Sequence, residues 1–157
     1  MPHDSSADAE SVLLNEIPAP KAEWTLDAET AARWEKLLAL RSDVNKELER
    51  VRADKTVTKA QDATVTITLN DEAQAAFDES MAVQDLKTLF NVSKVTILKG
   101  EGDGMPGESF PGVTVKAEPN TAPKCPRCWN HDESIGIPGG HAELCPRCAK
   151  AIAVQLQ

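Results

Sequence analysis

The sequence lacks the features of a membrane protein or a secreted protein. No apolar run approaches the roughly 20 residues that a membrane-spanning helix requires. The first ten residues are polar and acidic, and they contain no apolar signal core. We therefore expect a cytoplasmic protein with no membrane partner. Its 157 residues suffice for one domain and a small appendage.

The chain also lacks an excess of basic residues. It carries 17 Lys and Arg against 25 Asp and Glu, which gives a formal net charge of −8. The acidity is mainly N-terminal, since residues 1–40 contain eight acids and three bases. A chain that binds nucleic acid on its own usually presents a basic surface. The composition therefore argues against strong RNA binding by this chain alone.

A catalytic constellation is missing as well. The sequence contains no Ser-His-Asp pattern with supporting context. The glycine-rich residues 100–104 lack the lysine and the following helix that a phosphate-binding loop requires. We predict no catalytic residue and no catalytic core in this chain.

Cysteine occurs in one pattern only. The four cysteines form Cys125-Pro-Arg-Cys128 and, after sixteen intervening residues, Cys145-Pro-Arg-Cys148. Two such pairs at this spacing can surround one Zn²⁺ with four thiolates. Four protein ligands leave no position open for a substrate, so the pattern predicts one structural zinc ion.

Two disulfides or a redox-active CxxC pair are the alternatives for these cysteines. Disulfides are typical of secreted chains, and a redox motif usually opens a helix after a strand. His131 and His141 lie between the two pairs and are the rival metal ligands. We expect both histidines at the surface or beside the site, because four thiolates already complete it.

Five residues near the cysteines are candidates for RNA contact, namely Lys124, Arg127, Trp129, Arg147 and Lys150. The cations can contact phosphates. Alternatively, they can offset the formal charge of −2 on a Zn²⁺ held by four thiolates. The indole can stack on an unpaired base or cover one side of the metal site.

A long amphipathic helix is predicted from about residue 27 to residue 54, with Asp27 as its N-cap. No Pro or Gly interrupts this run. Its predicted apolar stripe, interrupted by Arg41, consists of Ala31, Trp34, Leu37, Leu38, Val44, Leu48 and Val51. The face predicted to be solvated carries Arg33, Lys36, Asp43, Lys46, Glu47 and Arg50.

The following residues alternate between strand and helix patterns. Strands are predicted at 58–69, 93–98 and 113–117, helical segments at 72–81 (capped by Asn70 or Asp71), 85–90 and 150–157, and a loop at 99–111. These elements predict an α+β fold, in which a long amphipathic helix packs on a small sheet with a short helix. A C-terminal four-cysteine zinc knuckle follows. The predicted domain limits are 1–24 for an extended lead-in, 25–118 for the helix and small α/β unit, and 119–157 for a linker and zinc-binding finger.

Two parts of this sequence resemble bacterial isoleucyl-tRNA synthetases. Residues 124–129 and 141–148 are similar to the C-terminal zinc-binding segment of that family. The strand at 63–67 also fits. The helix that follows the family's anticodon-binding bundle is similar to a set of upstream residues, namely Ser11, Val12, Pro18, Trp24, Trp34, Leu40, Arg41, Val44, Asn45, Lys46, Leu48, Glu49 and Arg52. The resemblance thus spans about residues 10–150.

The resemblance implies the C-terminal portion of a larger isoleucine–tRNA ligase, a class I synthetase. Neither a HIGH-type nor a KMSKS-type ATP-site signature occurs in the chain. Carried over by position, Cys125, Cys128, Cys145 and Cys148 would be the zinc ligands. The implied partners are tRNA(Ile), in the context of the full enzyme, and the anticodon-binding bundle. The implied role is to assist recognition of the anticodon end of the tRNA. The stretch at 57–63 departs from the family pattern, which leaves the turn before the first strand open.

Two other functions are compatible with the cysteine pattern. The zinc finger of formamidopyrimidine-type DNA glycosylases has the same ligand spacing, and those enzymes use an N-terminal proline, as at Pro2 here. The acids that follow Pro2 do not fit that class. A protein-interaction module stabilised by zinc is the second alternative, and the acidic composition favours it.

Overall fold

The computed structural model describes residues 9–17, 19–77, 83–137 and 142–155. Its main elements are α1 (Ala28–Ala53), β1 (Ala63–Leu69), α2 (Asp71–Ala76), α3 (Val83–Phe90), β2 (Lys94–Lys99), β3 (Met105–Pro106), β4 (Val113–Pro119) and α4 (Pro146–Gln155). The predicted α+β class, with one long helix beside a small sheet, is confirmed. No helix among the described residues has both the length and the apolarity that a membrane crossing requires.

Helix α1 begins where the sequence supplies a cap. The side chain of Asp27 accepts a hydrogen bond from the backbone N–H of Thr30 at 2.8 Å, which satisfies one of the free donors of the first turn. The helix ends at Ala53, and Lys55 follows in a left-handed conformation. The predicted helix and its cap are therefore confirmed.

The buried face of α1 differs from the predicted stripe. Its apolar members are Leu37, Leu40, Val44, Leu48 and Val51. Trp34 and Leu38 were predicted inside the stripe but are 43% and 53% exposed. Arg41 donates from Nε to the backbone oxygen of Leu89, 3.1 Å away near the end of α3.

The sheet has the strand order β2-β1-β4-β3. Strand β1 runs parallel to β2, and the chain between them passes through α2 and α3. Strand β4 pairs antiparallel with both β1 and β3. The side chains of Ala63, Val65, Ile67 and Leu69 on β1 are buried in the core, as their alternation predicted.

Several boundaries of the predicted elements are wrong. Residues 58–62 do not belong to β1, because 60–62 form a 3₁₀ turn. The predicted loop 99–111 contains β3. The short helix capped by Asn70 ends at Ala76, and residues 78–81 of the prediction lie outside the described residues.

Asn70 and Gly112 form a tight junction between β1 and β4. The backbone N–H of Asn70 donates to the oxygen of Gly112 at 3.0 Å, and the Asn70 side chain caps α2 at the N–H of Ala73. Gly112 has φ +78°, and a Cβ there would lie 2.2 Å from Oδ1 of Asn70. Only glycine fits both constraints.

Asp43 and Glu47 are predicted on the solvated face of α1, but both side chains are buried. Their carboxylates connect α1 to the sheet and to the chain before β4. Asp43 accepts from the backbone N–H groups of Glu108, Ser109 and Phe110 at 2.7–3.1 Å. Glu47 is paired differently. It accepts from the N–H of Ala117 on β4 at 3.1 Å and from the guanidinium of Arg50 at 2.7 and 2.9 Å. The side chains are buried because backbone donors distant in sequence replace water.

We predict that Asp43→Ala lowers the free energy of unfolding by about 3 kcal/mol, because it leaves three backbone donors without an acceptor. The control is Glu35→Ala on an exposed position of the same helix, which should change stability by less than about 0.5 kcal/mol. Urea unfolding at pH 7 measures both. Equal effects of the two substitutions would contradict the role of Asp43.

Glu47 should make stability depend on pH. Burial raises its pKa, but the Arg50 guanidinium and the Ala117 N–H outweigh burial and hold the pKa below its ordinary value of 4.5. A lowered pKa stabilises the fold above pH 4.5, and this stability is lost as pH falls through the folded-state pKa. Glu47→Gln should therefore lose stability relative to the original chain at pH 7, and the difference should shrink by pH 3. A difference independent of pH in urea titrations would contradict this.

Candidate metal centre

The four cysteine sulfurs converge at one point. All lie within 4.8 Å of one another, and the Sγ atoms of Cys128 and Cys145 are 3.7 Å apart. All four thiols are free, and this separation is far longer than the roughly 2.05 Å of a disulfide. A tetrahedral Zn²⁺ about 2.3 Å from each sulfur places the sulfurs about 3.8 Å apart. The spacing between Cys128 and Cys145 therefore fits zinc.

The first pair of cysteines lies on a tight turn. The N–H of Trp129 donates to the oxygen of Cys125 at 2.8 Å, and the N–H of Cys125 donates to the oxygen of Asn130 at 2.9 Å. Lys124 and His131 flank the turn and form an isolated antiparallel bridge. The turn places the sulfurs of Cys125 and Cys128 on the side that faces the other two cysteines.

The second pair begins α4. Cys145 directly precedes the helix, Pro146 occupies its first position, and Cys148 follows within the first turn. Proline is favoured at a first helical position because its missing N–H would have no partner there. The predicted helical segment at 150–157 thus starts four residues earlier than expected, and it carries one of the sulfurs.

The cluster has little apolar support. Apart from the cysteines, the partly buried apolar residues packed against it are Ile135 and Leu144. A segment this small rarely folds on apolar burial alone. The sulfurs are buried, with Cys128 less so than the others. A bound metal would supply the missing stability.

Backbone donors prepare one sulfur for metal binding. Burial raises the pKa of the Cys125 thiol, but the N–H groups of Cys145, Cys128 and Arg127 outweigh it and lower the pKa to about 6. The lowered pKa favours the thiolate, which is the form that binds a metal.

Both arginines of the cysteine motif contact the cysteine sulfurs. Nη1 of Arg127 lies 3.7 Å from Sγ of Cys148. The hydrogen bond to Cys128 raises the pKa of Arg147 above its ordinary value. Both arginines are exposed, so the same guanidinium groups can face the cluster and the solvent.

The other candidates for RNA contact occupy different surroundings. Lys124 is bound to the body of the fold, since its Nζ lies 2.6 Å from Oδ1 of Asp62. Lys150 is exposed on α4. Trp129 is 55% exposed, and Nζ of Lys59 lies 5.1 Å from the centre of its ring. Arg127 and Arg147 therefore lie at the cysteine cluster, whereas Lys124 lies at Asp62 on the body of the fold.

His131 faces the body of the fold. Its ring contacts the oxygen of Ala122 at 2.6 Å and Oδ1 of Asp62 at 3.1 Å, while its backbone N–H donates to Oγ of Ser93 at 2.6 Å. The metal-ligand grouping found among the described residues contains the cysteines and not this histidine. His141 lies outside the described residues. No sequence pattern pointed to Asp62 or Ser93, because both are distant from His131 in the chain.

The comparisons with known proteins concern both the cysteine segment and the whole chain. Residues 123–151 match a family model described as the zinc finger found in FPG and IleRS. The isoleucine–tRNA ligase of Geobacter sulfurreducens is 36% identical over 143 residues, which are 90% of this chain and 15% of the ligase. That of Brachyspira hyodysenteriae is 38% identical over 136 residues, 85% of this chain and 14% of the ligase.

Over most of its length, the chain is similar to one segment of the isoleucine–tRNA ligases, and its cysteine segment matches the zinc finger of that family. It spans about 15% of the length of the curated relatives it matches. The zinc-finger match and the four convergent cysteines together support zinc as the metal of this segment.

Metal removal should unfold the cysteine segment selectively. A structural zinc can supply about 10–16 kcal/mol of folding free energy to such a segment. A strong chelator should therefore abolish amide protection over residues 125–137 and 142–148. Protection of β1 and β4 should largely remain, because the apolar core of the body contains no cysteine. Hydrogen exchange before and after chelation measures both, and unchanged protection near Cys125 would contradict the prediction.

Proposed function

We propose that this chain is the C-terminal part of an isoleucyl-tRNA synthetase, stabilised by one structural Zn²⁺ on Cys125, Cys128, Cys145 and Cys148. Its role is to assist recognition of the anticodon end of tRNA(Ile) during aminoacylation in the cytoplasm. The observation that carries the proposal is the convergence of four free sulfurs within a segment that matches the family's zinc finger. The metal is structural because four thiolates leave no open position.

RNA contact is proposed for the surface around the cluster. Arg127, Arg147 and Lys150 are exposed cations on one small segment, and Trp129 presents an aromatic ring beside them. Proteins recognise unpaired RNA loops with this combination of cations and stacking faces. Lys124 contributes less, because its ammonium group is paired with Asp62.

The remaining synthetase is the proposed protein partner. Seven large apolar residues between residues 13 and 38 are exposed, namely Leu13, Leu14, Ile17, Trp24, Leu26, Trp34 and Leu38. Such a concentration of exposed apolar side chains is typical of a surface that another protein covers. We propose that the anticodon-binding bundle packs against this N-terminal surface.

A zinc-stabilised protein-interaction module is the second candidate, and the net charge of −8 favours it. A DNA-glycosylase finger is less favoured, because the ligases match 77–96% of this chain, whereas the finger model covers residues 123–151.

The proposed function is tested with the zinc-loaded chain and a labelled anticodon stem–loop of tRNA(Ile), titrated at several salt concentrations. We expect weak binding that decreases further with salt, because each of the few phosphate contacts releases a counterion. Arg127→Ala and Arg147→Ala should each lower the salt slope by about 1. Arg52→Ala is the matched control, because Arg52 pairs with Glu49 on α1. Zinc content is measured for every variant, and absence of binding at low salt would overturn direct RNA contact.

A further inference from the structure

Trp129 occupies a backbone conformation that a bulky residue rarely adopts. Its φ is +66°, in the left-handed region that favours glycine. Among the described residues, Lys55 and Asn91 are the other non-glycine positions of this kind, and each lies within two residues of the end of a helix. At Trp129 the strain arises from the turn that returns its N–H to Cys125. A glycine would form this turn without strain, so the turn does not explain the tryptophan.

Packing does not explain the indole either. The apolar partners of the cysteine cluster are Ile135 and Leu144, and the side chain of Trp129 is 55% exposed. A large aromatic ring in a strained position with half its surface in water is typical of a residue kept for binding.

A cation from the body of the fold lies beside this ring. Nζ of Lys59 is 5.1 Å from the ring centre, within the range of a cation–π contact. Lys59 lies in the turn that precedes β1, about 70 residues before Trp129, and it is exposed. Lys59 therefore adds a positive charge to a surface whose other cations come from the cysteine segment.

The contact between the cysteine segment and the body holds these two residues together. Asp62, three residues after Lys59, receives the ammonium of Lys124 at 2.6 Å and the ring of His131 at 3.1 Å. The backbone oxygen of Asp62 also accepts from the N–H of Asn120 at 2.7 Å. The position of Lys59 beside Trp129 is thus fixed by hydrogen bonds on both chain segments.

We infer that Lys59 and Trp129 together form a binding site for one unpaired RNA nucleotide. The base stacks on the indole, and the ammonium of Lys59 neutralises a neighbouring phosphate. The inference rests on the proposed function and adds to it a residue outside the cysteine segment. It also accounts for an exposed tryptophan at a position where glycine would fit better.

The chain contains a matched control for this pair. Nζ of Lys21 lies 5.4 Å from the ring centre of Trp24, and that ring is 54% exposed. Lys21 and Trp24 have the same chemistry, but Trp24 lies in an N-terminal 3₁₀ turn without left-handed backbone. If any exposed lysine–tryptophan pair binds RNA, both pairs should contribute equally to RNA binding.

The first measurement uses tryptophan fluorescence. Trp24→Phe and Trp34→Phe leave Trp129 as the only tryptophan of the chain. A single-stranded RNA hexamer should quench its emission, and an abasic hexamer of equal charge should not. Equal responses to the two hexamers would overturn stacking on this ring.

The second measurement uses binding of the labelled stem–loop at several salt concentrations. Trp129→Gly should weaken binding about tenfold or more, the size of a lost stacking contact, with zinc content and melting temperature not lowered. Lys59→Met should lower the salt slope by about 1, and Lys21→Met should not change it.

The outcomes separate this inference from the proposed function. If Lys59→Met behaves like Lys21→Met while Arg127→Ala weakens binding, the two-residue site is wrong and the proposed function stands. If Trp129→Gly loses zinc, the indole serves the metal site, and the inference is wrong. If the unaltered chain binds no RNA at low salt, the proposed function itself fails.

Discussion

The arrangement of the cysteine segment depends on the convergence of four sulfurs. Sixteen residues separate the two cysteine pairs, and few apolar side chains support the cluster. Ordering such a loop costs conformational entropy that its own packing cannot offset. A metal bound by all four sulfurs would fix the turn at Cys125 and Cys128. His131, three residues after Cys128, then faces Asp62 and Ser93 and docks the segment on the body.

The body depends on a different constraint, the burial of two acids on α1. An ionised carboxylate is costly to remove from water unless donors replace the solvent. Asp43 finds three backbone donors in the chain before β4, and Glu47 finds one on β4 together with Arg50. The backbone donors lie 65 to 70 residues away in sequence, so these bonds fix how the helix sits against the sheet. Apolar packing alone would leave that orientation less specific.

The sequence could predict what is decided locally. The cap of α1 at Asp27, the alternation along β1 and the spacing of the cysteines each depend on residues close in the chain, and the structure confirms the cap, the alternation and the clustering. The burial of Asp43 and Glu47 could not be predicted, because periodicity contains no information on donors from a distant loop. The same holds for Lys59, whose neighbour Trp129 is brought close only by the docking at Asp62. Trp34 and Leu38 were misplaced for a related reason: their spacing fits a stripe, but the sheet covers the side of the helix that contains Leu37 and Leu40.

The net charge of the chain is a poor guide to the surface proposed to contact RNA. Residues 120–155 contain four bases and three acids, so this part of the chain is close to neutral. Lys124 is already paired with Asp62, and Arg127 and Arg147 face sulfurs whose proposed zinc complex would carry a formal charge of −2. Little positive charge then remains for non-specific attraction to phosphates, which is the main source of affinity in most RNA-binding proteins. We therefore expect this segment to contribute more to the choice of RNA than to the affinity for it. Stacking on an exposed ring distinguishes an unpaired base from a duplex. The bulk of the binding free energy would then come from the rest of the synthetase, as suits a chain that spans about 15% of the length of its relatives.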